Sequence, residues 1–245
     1  MGPLKIISDG SLNTRTAFCN DPYVGDDVLD FPRGRANNSP QELADLLAQA
    51  TAHGLDVAVH AIGDAAVGIA LDAFESTRAH GSIEHAQLVA PADVARMGRL
   101  GVVASVQPVH LLDDRDVTQQ CWPDRADRCF PLRSMLDAGV ALALGSDAPV
   151  APLDPWEAMA AAVHRTGDDR EEWNAAETIT VAQALAGSVD GAPTVGVGSL
   201  ADLVLLDADP RAAGESGPEA AAHLRQLRVV FTVVAGRSAN PVTEY

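Results

Sequence analysis

Two histidines interrupt apolar runs: His60 in DVAVHAIG (56–63) and His85 in SIEHAQLV (82–89). An imidazole inside such a run needs partners for both ring nitrogens. Taken singly, either reads as a core histidine satisfied by backbone. Two of them on consecutive strand–helix units, each toward a strand's C-terminal end, shift the balance toward metal ligation. Imidazole suits Zn²⁺, and catalytic zinc typically draws three protein ligands from separate elements. Asp147, in LGSDAP, follows an apolar run. It reads either as a turn aspartate capping the next segment or as a carboxylate able to take a proton from a metal-activated water. Lys5 is the only lysine in the chain and lies in the apolar run LKIISDG. An ammonium there is costly unless paired, neutralised or simply solvated near the N-terminus. Its neutral amine could take up carbon dioxide as a carbamate, whose two oxygens can bridge two metal ions; arginine cannot imitate this.

The other histidines carry weaker signals. His53 and His80 each precede a glycine at a predicted helix end, where an imidazole can cap carbonyls. His164 and His223 read as surface or packing residues. His110, just beyond VVASVQPV, and Arg15, in the loop after the first strand, are candidate substrate contacts. Cys19, Cys121 and Cys129 form no CxxC pair and read as reduced thiols. A metal site from Cys121, Cys129 and His110 matches no zinc spacing.

These residues need a frame. Short apolar runs alternate with amphipathic stretches, the rhythm of βα units and a parallel sheet. The predicted strands are 4–10, 56–63, 82–89, 102–111 and 140–150. A loop over about 13–38 precedes a helix opened by Ser39-Pro40-Gln41-Glu42 and stopped by Gly54. Further helices are expected after 64, over 91–100 and 131–139, and near 155–165 and 181–185, with a polar excursion over 113–129. From 191 the rhythm changes. Two β-rich segments, 198–207 and 227–237, flank a Gly/Ala/Pro/Glu linker and suggest a separate small β-structure. Five parallel strands admit an open doubly wound sheet or part of a barrel. No glycine-rich phosphate loop follows any strand, and His60, His85 and Asp147 stand toward strand C-terminal ends, which converge in a barrel.

Composition narrows the function further. The chain has 245 residues, 47% hydrophobic and 21% charged, which suits one substantial core. Acidic residues outnumber basic ones 34 to 17, a formal charge of −17 that argues against nucleic acid and anionic lipid. No apolar run approaches a membrane span, and MGPLKIISDG shows no signal peptide, so a cytoplasmic enzyme is expected.

The blocks LKIISDGSLNTRTA, DVAVHAIGDAAV, SIEHAQLV, GVVASVQPVHL, RADRCFPLRSMLDAGVALALGSDAPV and GSLADLVLLDADP together resemble the YtcJ-like amidohydrolases. This is the amidohydrolase-3 group of the metal-dependent hydrolases, which includes formamide deformylase-like enzymes. The resemblance implies an α/β fold: a partial (β/α)₈ TIM barrel, about strands 4–8, over 1–190, then strands of a composite β-sandwich over 191–245. By motif, Lys5 resembles the bridging carboxylated lysine, His60 and His85 the two single-histidine ligands, and Asp147 the last-strand aspartate that binds metal and shuttles protons. One or two divalent ions, Zn²⁺ by type, and a small amide or formamide substrate are implied.

One feature of the family is missing. Its first barrel strand carries His-x-His, and no HxH occurs in this sequence. The likeness begins at roughly the fourth strand, so Met1-Gly2-Pro3 reads as an internal start or a truncated frame. Two expectations follow. Either the chain hydrolyses a non-peptide C–N bond, self-associating or completed by an N-terminal chain, or it is an inactive remnant acting as a structural or interaction partner. An open-sheet binding protein is the disfavoured third reading.

Overall fold

The computed structural model describes residues 2–25, 30–189 and 194–239. Five parallel strands form one sheet: β1 (Leu4–Ile7), β2 (Val57–Ala61), β3 (Gly81–His85), β4 (Val103–Val106) and β5 (Leu142–Leu144). Their spatial order follows the sequence without reversal, so the sheet has no topological switch point of the doubly wound type. Alternation divides its two faces. Ile6, Val57, Val59, Ile83, Ala104 and Val106 are buried in the main core. Against them pack α1 (Pro40–Ala52) through Leu43 and Leu47, α2 (Asp64–Thr77) through Leu71 and Phe74, α3 (Pro91–Leu100) through Met97, and α6 (Leu132–Asp137) through Met135. The opposite face carries Lys5, Ile7, His60, Glu84 and Ser105 and is open; Ile7 is 56% exposed.

Local chemistry explains several element ends. Ser39 and Glu42 close a capping box, with Pro40 in the first turn of α1. Several expected boundaries are corrected. The strand expected over 102–111 stops at Val106, and Pro108 opens α4 (Pro108–Asp113). Proline has no N–H for a ladder, but its fixed φ suits a helix's first turn. His110 is therefore helical. The excursion over 113–129 holds α5 (Arg115–Cys121) and a short 3₁₀ turn. The strand expected over 140–150 shrinks to Leu142–Leu144. Helix α2 ends on Arg78, left-handed at φ 55°, not beside Gly81. His80 therefore caps no helix; its carbonyl accepts the Val57 N–H at 2.9 Å. Gly81 opens β3 at φ 146°, where a Cβ would sit 1.9 Å from the Val57 oxygen.

A second sheet joins β6 (Leu203–Leu206), β7 (Val229–Val234) and β8 (Arg237–Ser238) in antiparallel order. The expected linker between its first two strands contains α9 (Pro218–Gln226). This helix packs against α7 (Pro155–Val163), with Arg225 Nε and Nη2 donating to Glu157 at 2.8 and 2.9 Å. Helix α8 (Val181–Ser188) lies before the expected boundary at 190/191, which falls outside the described residues.

Phe74 is 2% exposed and joins α2 to the sheet. Phe74→Ala is expected to lower unfolding free energy by about 3–5 kcal/mol, measured by urea denaturation. A loss below about 1 kcal/mol would contradict the packing described.

Candidate functional site

The open face of the sheet is where the chemistry collects. In the β2–β3 ladder His60 stands opposite Glu84, and Ala61 opposite His85. Strict alternation sends His60 to the open face and sends His85, two residues after Ile83, toward the helices. The backbone departs from that rule. His85 has φ 70° and Ala86 has φ 42°, both left-handed. The His85 ring consequently meets the His60 ring edge-on, with centroids 4.6 Å apart.

Left-handed residues other than glycine cost on the order of 1–3 kcal/mol each and persist only where surroundings fix them. Here the Ala86 N–H donates to the Ala61 oxygen at 3.1 Å and the Leu88 N–H to the Ile62 oxygen at 3.0 Å. The Phe130 N–H reaches the Gln87 oxygen at 2.7 Å. The Gln87 side chain donates to buried Asp114 at 2.9 Å, and Asn13 donates to the same carboxylate at 2.7 Å. Burial holds the Asp114 carboxyl above its usual range, against the lowering effect of those two donors. This polar knot ties the loops after β1 and β3 to the end of α4.

His110, on α4, stacks over His85 with centroids 6.0 Å apart and planes 13° from parallel. Its Nε2 is buried and has no hydrogen-bond partner among the described residues. On the other side, His60 Nε2 lies 3.1 Å from the Gly10 carbonyl and 3.4 Å from Asp9 Oδ1. Both neighbours accept, so Nε2 carries the proton and Nδ1 is left as the donor atom for a ligand.

Charge separates the two rings. Burial pushes the His85 pKa down to about 3, assisted by the positive fields of His60, His110 and Lys5. At neutral pH it is a neutral imidazole, the form that binds metal. Burial also pulls His60 down, but Asp9 and the Gly10 carbonyl outweigh it and raise its pKa overall. Lys5 weighs against the charged form of both rings. It is exposed on the open face, the solvated of the two readings that its sequence allowed.

The structure thus brings His60, His85 and His110 together, with Lys5 on the same face. Asp147 lies in the turn after β5, exposed and left-handed at φ 54°. Among the described residues no hydrogen bond or ion pair engages its carboxylate. Arg15 sits in the loop after β1, its N–H donating to the Leu12 oxygen at 2.8 Å. Among the described residues no group of three His, Cys, Asp or Glu side chains could hold a metal ion. His60 and His85 fit as two members of a donor set, not as a complete one. The three thiols are buried and free; burial pushes Cys19 up to about 12, which suits inert packing.

Asp9 and Glu84 were not singled out by sequence. Asp9 reads as half of an Asp-Gly turn, yet it shares parity with Lys5 and Ile7. Glu84 shares parity with His60 and accepts from the Ser82 and Ser105 hydroxyls at 2.5 and 2.7 Å. Parity with the candidate ligands was the available signal for both. The remaining histidines have structural employment. His53 Nδ1 bonds the Gln49 oxygen at 2.8 Å, His164 pairs with Glu172 at 2.5 Å, and His223 reaches the Asp209 oxygen at 2.8 Å. A cleft of about 500 Å³ between α4, α7 and α9 contains none of the three clustered histidines, and its Arg170 and Arg225 are already paired with carboxylates.

Residues 1–239 match Amidohydro_3, described as "Amidohydrolase family". Protein LONG AFTER FAR-RED 3 of Arabidopsis thaliana is 36% identical, over 84% of this chain and 38% of its own length. Putative amidohydrolase YtcJ of Bacillus subtilis (strain 168) is 29% identical, over 96% and 46%. N-substituted formamide deformylase of Arthrobacter pascens is 31% identical, over 81% and 39%. The solved structure of an uncharacterized metal-dependent hydrolase from Pyrococcus furiosus superposes with a TM-score of 0.70 at 34% identity, covering 78% of this chain and 39% of that one. The chain spans less than half the length of each. No helix among the described residues is long and apolar enough to cross a membrane. From its sequence, its parallel sheet and its relatives, this chain belongs to the amidohydrolase family.

Proposed function

We propose that this chain carries part of the active site of a metal-dependent hydrolase acting on a non-peptide C–N bond of an amide or formamide. The observation that carries the reading is the meeting of two imidazoles, one of them strongly disfavouring its proton, on the open face of a parallel sheet. The formamide deformylase and the metal-dependent hydrolase among its relatives support the reaction class.

His60 through Nδ1, His85, and Lys5 as a carbamate would hold one or two divalent ions, with zinc favoured by the imidazole donors. A bound divalent ion supplies Lewis acidity and lowers the pKa of a water toward 7. Asp147, beyond the C-terminal end of β5, would accept the proton of the attacking water and return it to the departing nitrogen. His110, on α4, and Arg15, in the loop after β1, would contact substrate. The fitting architecture is about the last five units of a (β/α)₈ barrel over residues 1–190, with 191–245 contributing strands of a β-sandwich. Sequential strand order and one helix-covered face support it. Three buried, reduced thiols suit the cytoplasm.

A second reading rests on a specific observation. The described residues assemble no complete ligand set. Under that reading the chain is an inactive remnant that acts through its surfaces.

Elemental analysis of purified protein separates the two. The hydrolase reading expects about one equivalent of divalent metal or more, lost in His85→Ala and strongly reduced in Lys5→Ala; a metal-free parent favours the remnant. The outer edges of β1 and β5 are unpaired within the sheet, and open strand edges recruit partners. Light scattering is therefore expected to find self-association, or binding of an N-terminal chain that completes the barrel. A stable monomer that binds no such chain would contradict the partial-barrel reading.

A further inference from the structure

Asp9 is fully buried, and its carboxylate is surrounded by donors. Oδ2 accepts the Phe18 N–H at 2.9 Å and the Gly63 N–H at 2.9 Å, while Oδ1 accepts the Ile62 N–H at 3.1 Å. The remaining approach to Oδ1 is taken by His60 Nε2 at 3.4 Å. Three elements meet on one side chain: the loop after β1, the end of β2 and the start of α2. Helix α2 has glycine at its N-cap and no side-chain cap of its own; the Phe18 oxygen accepts the Ala66 N–H at 3.1 Å, while Asp9 takes the two N–H groups just before the helix. A Cβ at Gly63 would stand 2.1 Å from the Phe18 oxygen, so the loops close on Asp9 without slack.

We propose that Asp9 is the positioning residue of His60. It fixes the ring in the Nε2–H tautomer and turns Nδ1 toward the open face. The proposal rests on the metal-centre reading for its affinity readout, but not for its tautomer readout. A metal-ligating histidine ordinarily donates its other N–H to a carboxylate or carbonyl, which sets tautomer and aim. His60 has one of each, and the carboxylate is itself immobilised by three backbone N–H groups. A purely structural Asp9, serving only α2 and the loop, would leave the ring indifferent to the loss of its charge.

Asp9→Asn discriminates. The two N–H groups at Oδ2 select the amide oxygen there, which places the NH₂ at the Oδ1 position, donor against donor with His60. Long-range ¹H–¹⁵N correlation spectra of the metal-free full chain should show His60 as a single Nε2–H tautomer in the wild type and a mixed or reversed one in Asp9→Asn. Zn²⁺ affinity, by chelator competition, should fall about tenfold or more. Asp9→Ser, which also removes the charge beside His60, is the second variant should the amide not fold, and the same two changes are expected. A wild-type ring protonated on Nδ1 overturns the proposal. So does a folded variant whose tautomer and affinity match the wild type while only its melting temperature falls. A wild type that binds no Zn²⁺ defeats the metal-centre reading alone, and the metal-free spectra still decide the role of Asp9.

Discussion

Parallel pairing of β1 through β5 in sequence order is the constraint on which the rest of the molecule depends. It puts the C-terminal ends of all five strands on one edge, so the loops after β1, β3 and β5 open in the same direction. It also fixes parity across the ladder: Lys5 stands level with Ala58, and His60 level with Glu84. One face is filled by aliphatic side chains and covered by helices. The other is left for residues whose side chains have work besides packing.

Two devices then refine what pairing alone would give. A left-handed pair at His85 and Ala86 moves one imidazole across the plane of the sheet. A buried carboxylate at Asp9 gathers three backbone N–H groups and stands beside the other imidazole. The first device costs backbone energy and the second costs desolvation, and each is held by hydrogen bonds that reach beyond its own strand. The resulting pair is asymmetric in its affinity for protons, lowered at His85 by burial and raised at His60 by Asp9 and the Gly10 carbonyl.

Much of this was legible in the residues. The rhythm of apolar runs marked all five strands of the first sheet, and the Ser39 capping box was read with its partner Glu42. His60 and His85 stood out because each breaks an apolar run. What could not be read is physical in origin. Strand ends depend on ladder partners, so VVASVQPVHL looked like one strand until Pro108 turned it into a helix. Alternation would have sent the His85 ring to the wrong face, because no residue type announces a left-handed histidine. For Lys5 the apolar neighbours left a solvated and a neutralised ammonium both open, because exposure depends on the layer opposite, and that face is open. Asp9 was hidden inside an ordinary turn dipeptide; only folding brings the Phe18, Ile62 and Gly63 amides around it.

On the proposed reading these two imidazoles form part of a metal centre. The most direct measurement is a crystal structure of the chain grown with Zn²⁺ and recorded at the zinc absorption edge. An anomalous peak is expected between the rings, about 2.0–2.1 Å from His60 Nδ1 and from a nitrogen of His85. Crystals that hold zinc elsewhere, or show both rings without density between them, would contradict it.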